Sequence, residues 1–319
     1  MKLRTEIKIS ASTTPIYYKD SVFALGSCFS GHISSQLKRL CYSVFSDPCG
    51  ITFNPASLLS SIKRVCAPDS LHENELFYQN GHYVHLDFHS SFDHPSKEHY
   101  LKYSKNVLHA ASDALKKTKV VLVTIGTCFV YRHINTNTIA NNCHKLPSED
   151  FTRSLMSLSD VLTTLQELRS TIRAYNEEGP QIIFTVSPVR HTRNGLVDDR
   201  KSKSIALLAV HDICDQYADC HYFPAYEIMI DDLRDYRFYN ADLIHPRQVA
   251  VDHIFDSFSK SWLVEEEGTL RSDISALRLR LDHKPRFPDS TAHRIFLDKL
   301  NRDKHALIAK HPFLEENLL

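Results

Sequence analysis

The stretch Lys119-Val-Val-Leu-Val-Thr-Ile125 decides the fold class of this chain. Its apolar and β-branched residues do not alternate with polar ones, which is typical of a parallel strand buried on both faces. The run Gln181-Ile-Ile-Phe-Thr-Val186 repeats this pattern, and Ser21-Val-Phe-Ala-Leu-Gly26 is an earlier run that ends in glycine. Long helical stretches separate the three runs, so the sequence predicts βα units and a parallel sheet.

Apolar residues spaced three and four apart predict the helices between these strands. The predicted helices cover residues 29–40, 55–65, 97–117, 151–176, 203–217 and 247–262. Two further short strands are predicted at residues 42–45 and 220–223. Asn80-Gly81 separates two apolar runs, which predicts a hairpin with a two-residue turn inside a polar insert at about residues 70–95.

The pattern changes after residue 262. The remaining residues predict helices at 270–281 and 292–309 and no strand. We therefore expect an α/β domain over residues 1–262 and a helical C-terminal appendage over residues 263–319. Such an appendage can serve as a lid, as a brace or as the contact of a homo-oligomer.

The composition excludes several classes of protein. The chain has 319 residues, 42% of them hydrophobic, and 38 basic side chains balance 38 acidic ones. This is too apolar for a disordered chain and too neutral for the basic face that nucleic acid requires. No apolar run approaches the roughly 18 residues of a membrane span. The N-terminal residues lack the apolar core of a secretory signal, so we expect a cytoplasmic protein.

Neither the cysteines nor the histidines form a recognisable metal signature. None of the eight cysteines forms a Cys-x-x-Cys pair, and without a secretory signal we expect free thiols. His82, His85, His89 and His94 cluster in the predicted hairpin, where a metal site is the alternative interpretation. No helical zinc signature is present, so we interpret the cluster as a polar hairpin and expect no metal.

The functional candidates follow the strands directly, because ligands bind beyond the carboxyl ends of an open parallel sheet. Ser27 follows the first strand and precedes a helix. Its hydroxyl is a candidate nucleophile at the helix N-terminus, where developing negative charge is stabilised. The alternative is an ordinary N-cap, since serine is a preferred capping residue.

The segment Asp242-Leu-Ile-His245 contains the other two side-chain types of a catalytic triad. A histidine base needs a carboxylate that fixes its tautomer. At a spacing of three residues in a tight loop, the carboxylate and the imidazole can meet, and Pro246 stiffens the loop. The alternative is a helix-capping aspartate beside an ordinary surface histidine.

Several motifs in a fixed order resemble a known family. Gly26-Ser27-Cys28-Phe29 is similar to the signature of the GSCFA-domain family, a branch of the SGNH (GDSL-like) hydrolase superfamily. Further matches to the GSCFA pattern lie at residues 187–191, 222–228, 232–239 and 242–246. The resemblance covers roughly residues 20–260.

The resemblance implies a three-layer α/β/α, flavodoxin-like fold and a serine hydrolase mechanism. Ser27 would be the nucleophile, His245 the general base and acid, and Asp242 the residue that orients it. The backbone N–H groups of Ser27 and Gly50 would form the oxyanion hole, where glycine lets the backbone approach a substrate oxygen. The implied activity is that of a serine esterase without metal or cofactor, which removes small, acetyl-like O-acyl groups from a carbohydrate or another small molecule through an acyl-enzyme.

One block of the superfamily pattern is missing. The superfamily carries Gly-x-Asn after a later core strand, and its asparagine donates to the oxyanion. This chain has Gly126-Thr127-Cys128 at that place. Either Thr127 substitutes for the asparagine or Asn142 reaches in from the following loop. We favour Asn142, because its amide supplies the missing N–H donor.

His144, Arg190 and His191 are the remaining polar candidates at this edge. Arg190 suits a carboxylate or phosphate group of the substrate, and the histidines suit supporting hydrogen bonds. The alternative is that all three are ordinary polar loop residues. An acyltransferase with the same triad is a variant of the esterase hypothesis. A non-catalytic binding module is the alternative from a different class, and the missing asparagine motivates it.

Overall fold

The computed structural model describes residues 4–318. Residues 1–3 of the predicted α/β domain and residue 319 of the predicted appendage lie outside the described residues. The strands are β1 (Ser21–Gly26), β2 (Ser43–Ser46), β3 (Phe77–Gln79), β4 (His82–Val84), β5 (Val120–Ile125), β6 (Phe129–His133), β7 (Ile139–Ala140), β8 (Phe151–Leu155), β9 (Gln181–Val186) and β10 (Cys220–Tyr222). The helices are α1 (Cys28–Arg39), α2 (Pro55–Cys66), α3 (Lys97–Lys117), α4 (Leu158–Tyr175), α5 (Leu196–Gln216), α6 (Ala225–Glu227), α7 (Gln248–Trp262), α8 (Gly268–Leu281), α9 (Thr291–Lys310) and α10 (Glu315–Leu318).

A five-stranded parallel sheet forms the centre of the molecule, in the order β10-β9-β5-β1-β2. Numbered along the chain, these core strands have the order 2-1-3-4-5 that is typical of flavodoxin-like sheets. Helices α2, α3, α4 and α5 cover one face, and α1 and α7 cover the other. The predicted three-layer α/β/α fold is therefore confirmed.

The three central strands end level with one another. Gly26 at the end of β1 pairs with Thr124 of β5, and the last residue of β5 pairs with Val186, the last residue of β9. Ser27 and Gly126 therefore begin two neighbouring loops at the carboxyl edge of the sheet. The residue that follows β9 lies beside them at the same edge.

Alternate residues of each core strand contribute to two hydrophobic cores. Phe23 and Val121 pack against α2, α3, α4 and α5, while Val22 and Leu122 pack on the side of α1 and α7. Because both faces are buried, the strands are apolar at every position. This explains why the runs in the sequence do not alternate.

The C-terminal helices pack on the α1–α7 side of the sheet. Ile274 and Leu277 of α8 and Leu300 of α9 are buried in the same core as α7. In the described part of the chain, residues 265–318 form helices and turns without a strand. No helix within residues 4–318 is long and apolar enough to cross a membrane.

Residues 151–155 differ from the prediction, which placed them at the start of a long helix. They form β8, which pairs with β6 in a small antiparallel sheet of order β7-β6-β8. Helix α4 begins only at Leu158, because a capping box precedes it. The Ser157 hydroxyl accepts the N–H of Asp160, and the Asp160 carboxylate accepts the N–H of Ser157.

Strands β3 and β4 form the predicted hairpin. Asn80 and Gly81 both have positive φ values, of 50° and 83°. Two consecutive left-handed residues form the turn that matches the twist of a two-stranded ribbon, and Asn-Gly tolerates this conformation best.

We expect Leu168→Ala to lower the free energy of unfolding by about 2–5 kcal/mol, because Leu168 of α4 is fully buried and its loss leaves a cavity. The matched control is Leu208→Ala on α5, where the side chain is 55% exposed. Its effect should stay within about 0.5 kcal/mol. Urea titrations followed by circular dichroism measure both. Equal losses of stability in the two variants would contradict this assignment of the core.

Candidate active site

Ser27 lies between β1 and α1 in a tightly packed turn. Residue 26 must be glycine, because its φ is +149° and a Cβ would lie 2.4 Å from the carbonyl oxygen of Thr124. Gly126 packs against Ser27 from β5, and a Cβ on Gly126 would lie 3.2 Å from the Ser27 Cβ. The Ser27 hydroxyl is buried, does not cap α1 and has no hydrogen-bond partner within residues 4–318. A buried hydroxyl without a partner is unusual and calls for a functional explanation.

Asp242 and His245 form a hydrogen-bonded pair in one short loop. The Asp242 Oδ2 lies 2.8 Å from the His245 Nδ1, and the Asp242 Oδ1 accepts the backbone N–H groups of Ile244 and His245. These backbone hydrogen bonds and the imidazole lower the pKa of Asp242 to about 2. Both side chains are nearly half exposed. At neutral pH the ionised carboxylate can therefore hold Nδ1 protonated and leave Nε2 as the basic nitrogen.

This loop is anchored to the carboxyl end of the sheet. The backbone N–H of Arg190, which follows β9, donates to the carbonyl of Ile244. His245 also lies near α1: burial lowers the pKa of His32, and the charge of His245 lowers it further. Among the described residues, no hydrogen bond joins His245 to Ser27. The two therefore lie at the same edge of the sheet without a hydrogen bond between them in the described structure.

The two backbone N–H groups assigned to an oxyanion hole both have other partners. The N–H of Ser27 donates to the carbonyl of Thr124 at 3.1 Å. The N–H of Gly50 donates to the carbonyl of Asp47 at 2.8 Å. The arrangement is therefore not a preformed oxyanion hole, and these hydrogen bonds would have to open before either group could bind a substrate oxygen.

Glycine at position 50 has a structural explanation that the sequence did not reveal. Its φ is +76°, and a Cβ would lie 2.4 Å from the Cβ of His89 in the hairpin insert. A larger residue would be strained and would also push the insert away. The contact with His89 therefore requires glycine, whatever binds at the site.

Thr127 does not offer a free hydroxyl. Its Oγ1 lies 3.0 Å from the Ser202 Oγ and accepts the N–H of Phe129. The side chain is buried, and its own N–H donates to the carbonyl of Phe53. These contacts tie the end of β5 to α5, which is a structural role.

Asn141, not Asn142, contacts the loop that contains Gly50. The Asn141 amide donates to the carbonyl of Ile51 at 2.9 Å. The Asn142 Oδ1 instead accepts the N–H of His144 in a local turn. Adjacent asparagines look equivalent in a sequence, and only the backbone path through this loop distinguishes them.

The other three polar candidates at this edge, His144, Arg190 and His191, all contact other groups of the protein. The His144 imidazole is buried and lies between Asp93 and the carbonyls of His85 and Phe88, so it fastens the hairpin insert. Arg190 and His191 share the buried carboxylate of Asp199. The Arg190 guanidinium lies 3.6 Å from the Asp199 Oδ2, and the His191 N–H donates to the Asp199 Oδ1.

The sequence did not reveal two charged groups at this edge, the partly buried Asp47 and the fully buried Lys203. Asp47 follows β2, and burial raises its pKa to about 7, while Lys38 and a backbone hydrogen bond at Gly26 oppose that rise. Lys203 of α5 is fully buried, and burial lowers its pKa to about 8. Lys203 and Asp199 occupy the apolar face of α5, and charged residues at core-facing spacing were the available signal.

The histidine-rich hairpin does not assemble metal ligands. Within residues 4–318, no group of three or more His, Cys, Asp or Glu side chains is arranged to hold a metal ion. The His85 Nδ1 accepts the N–H of Asp87, and His94 stacks on His99. His85 and His94 thus have partners within the described part of the chain.

We expect Asp47→Asn to stabilise the protein more at pH 8 than at pH 5. The Asp47 carboxyl has a pKa of about 7 in the folded protein, above its ordinary value of 3.8. The wild-type protein therefore loses stability as the pH rises from the lower of these two values to the higher. Asparagine cannot ionise and removes that loss. Urea titrations at both pH values measure the difference, with exposed Asp298→Asn as the control. A pH-independent difference would contradict the raised pKa.

The chain matches a known protein family. No curated protein matches the sequence significantly. Residues 21–258, however, match the GSCFA family. The matched segment begins at β1, ends within α7 and contains Ser27, Asp242 and His245. The chain belongs to the GSCFA family.

Proposed function

We propose that this protein is a serine esterase of the SGNH type, in which Ser27 is the nucleophile. The observation that carries the proposal is the Asp242–His245 pair, 2.8 Å apart, on a loop fastened to the sheet edge where Ser27 has an unpaired hydroxyl. A nucleophile, a base and a carboxylate that orients the base are the three parts of a triad. Their chain order also matches the superfamily that the sequence resembles.

The chemistry follows from the roles of these three groups. The Ser27 Oγ forms a bond to the ester carbonyl carbon while its proton passes to the His245 Nε2 and the carbonyl π pair moves onto oxygen. The intermediate collapses when the alcohol oxygen leaves with its bonding pair and takes the proton from His245. Water then repeats this sequence on the acyl-enzyme and releases the carboxylic acid. Asp242 stabilises the imidazolium in each half-reaction.

The proposal requires two local rearrangements. The Ser27 hydroxyl is buried, so a substrate must displace whatever covers it. The N–H of Ser27 or of Gly50 must also exchange its carbonyl partner for the substrate oxygen. The Asp242 and His245 side chains are nearly half exposed, so this loop is the element we propose to move.

Small, acetyl-like O-acyl groups on a carbohydrate are the substrates we propose, by analogy with the superfamily. The tightly packed surroundings of Ser27, with Gly126 against it, favour a small acyl group. Transfer to a second hydroxyl instead of water would use the same triad, so an acyltransferase is the nearest variant. Hydrolysis in water alone and acyl transfer to an added sugar distinguish the two.

A non-catalytic binding module is the second candidate. The observation that favours it is the pairing of both expected oxyanion donors with backbone carbonyls. The Thr127 hydroxyl is bound to Ser202, and the Asn142 side chain accepts the N–H of His144 in a local turn. A fluorophosphonate probe tests this candidate, because a binding module would leave Ser27 unlabelled in peptide mass spectra.

We expect Ser27→Ala to lower kcat for p-nitrophenyl acetate by on the order of 10³-fold or more, because no acyl-enzyme can form. Ser30→Ala is the matched control, since Ser30 is also buried on α1 with an unpaired hydroxyl. It should keep wild-type turnover. Wild-type activity in Ser27→Ala would falsify the triad, whereas equal losses in both variants would indicate damage to α1.

Asp242→Asn should lower kcat by on the order of 10³-fold with little change in KM, because an amide no longer fixes the tautomer of His245. Asp235→Asn is the control: its carboxylate also accepts a backbone N–H, that of Arg237, but it has no histidine partner. Steady-state kinetics on an ester that wild type hydrolyses measure both. Equal kcat values for the two variants would show that Asp242 only shapes its loop.

A further inference from the structure

Lys203 is a fully buried lysine that the proposed triad does not use. It lies on α5 with an exposure of 1%, and its Nζ donates to the carbonyls of Gly126 and Ser187 at 2.6 and 2.8 Å. These are the first residues after β5 and β9. The ammonium therefore joins the carboxyl ends of two core strands at the edge that carries Ser27.

The surroundings of Lys203 leave its positive charge only partly balanced. Asp199, one turn earlier on α5, is the facing carboxylate, but it also serves the Arg190 guanidinium and the N–H of His191. The titratable and charged groups that face Lys203 from its own helix and from the packed elements are Asp199, Arg190, His191, Cys28, Cys128 and Tyr226. One carboxylate, that of Asp199, thus faces both Lys203 and Arg190.

This charge lies close to the proposed nucleophile. The Gly126 carbonyl that Lys203 binds belongs to the residue packed against the Ser27 Cβ. Burial raises the pKa of Cys28, the residue after Ser27, and the Lys203 charge opposes that rise. The field of the ammonium therefore reaches the N-terminus of α1.

A purely structural role does not explain a charged group here. Two carbonyl oxygens can be satisfied by a neutral donor, whereas burying an ammonium carries a large cost in lost solvation. The site also lacks the side-chain donor of the superfamily, since the hydroxyl of Thr127 is bound to Ser202. A fixed positive charge in a dry site stabilises negative charge that develops during a reaction.

We propose that Lys203 is a positioning residue for Ser27: it holds the carbonyls of Gly126 and Ser187 away from the nucleophile and supplies a fixed positive charge beneath it. This inference rests on the proposed role of Ser27 and deepens it. The charge replaces part of the stabilisation that the missing asparagine would provide. Because burial lowers the pKa of Lys203 to about 8, with Asp199 opposing, the charge is present at pH 7 and is lost above pH 8.

The test compares Lys203→Met, which keeps the length and removes the charge, with Lys201→Met, an exposed lysine on the same helix. The first measurement is the rate at which iodoacetamide alkylates Cys28, followed by peptide mass spectrometry. At pH 7 wild type and Lys201→Met should react several-fold faster than Lys203→Met, because the charge favours the thiolate. The rates should converge above pH 9, where wild type has lost the charge.

The second measurement is the hydrolysis of p-nitrophenyl acetate from pH 6.5 to 9.5. Lys203→Met should lower kcat about tenfold at pH 7 with KM unchanged, while the effect disappears above pH 9. Unchanged kcat at pH 7 would overturn the inference and leave the esterase intact. An inactive wild type that also resists fluorophosphonate would instead overturn the proposed function.

Wild type alone provides a further test if Lys203→Met does not fold. Its kcat/KM should fall as the pH rises through 8, after correction for the uncatalysed reaction of the ester. A profile that stays flat from pH 7.5 to 9.5 would overturn the role of Lys203. If Lys203→Met does fold, alkylation of Cys28 that is equally fast in this variant and in wild type at pH 7 would also overturn the role of Lys203.

Discussion

The backbone pairing of β1, β5 and β9 is the constraint on which the candidate site depends. Because the strands end level, Ser27, Gly126 and Ser187 lie side by side, although they are far apart in the chain. The spacing tolerates no side chain at Gly26, where a Cβ would lie 2.4 Å from the Thr124 carbonyl oxygen. The close approach of β1 to β5 thereby constrains the backbone around the proposed nucleophile, and a catalytic group must be held in a defined position.

The charged groups at this edge of the sheet differ in how deeply they are buried and in the direction of their pKa shifts. Lys203 is fully buried and Asp47 is partly buried, and burial moves the pKa of each toward neutrality. The Asp242–His245 pair lies on a partly exposed loop, and its carboxylate stays ionised because backbone N–H groups bind it. In the proposed mechanism Lys203 supplies a positive charge, and the loop carries the histidine that exchanges a proton.

The C-terminal helices extend the hydrophobic core beyond the segment that matches the GSCFA family. Ile274 and Leu300 are buried together with residues of α1 and α7, the two helices that follow Ser27 and His245. An Arg39–Asp282 ion pair and the Arg278 side chain also join α8 to the end of α1. The appendage thus packs against the helical layer formed by α1 and α7, next to the residues of the proposed triad.

The sequence by itself determined the fold class, because strands buried on both faces must be apolar throughout and the intervening helices must be amphipathic. It also identified Ser27 and the Asp242–His245 pair, since each depends on neighbours close in the chain. It missed β8, whose pairing with β6 is non-local. Only the tertiary structure decided the contacts of Gly50 with His89, of Asn141 with Ile51 and of Lys203 with Gly126, because those contacts join segments far apart in the sequence. Burial and charge shift a pKa only where the folded chain brings the groups together.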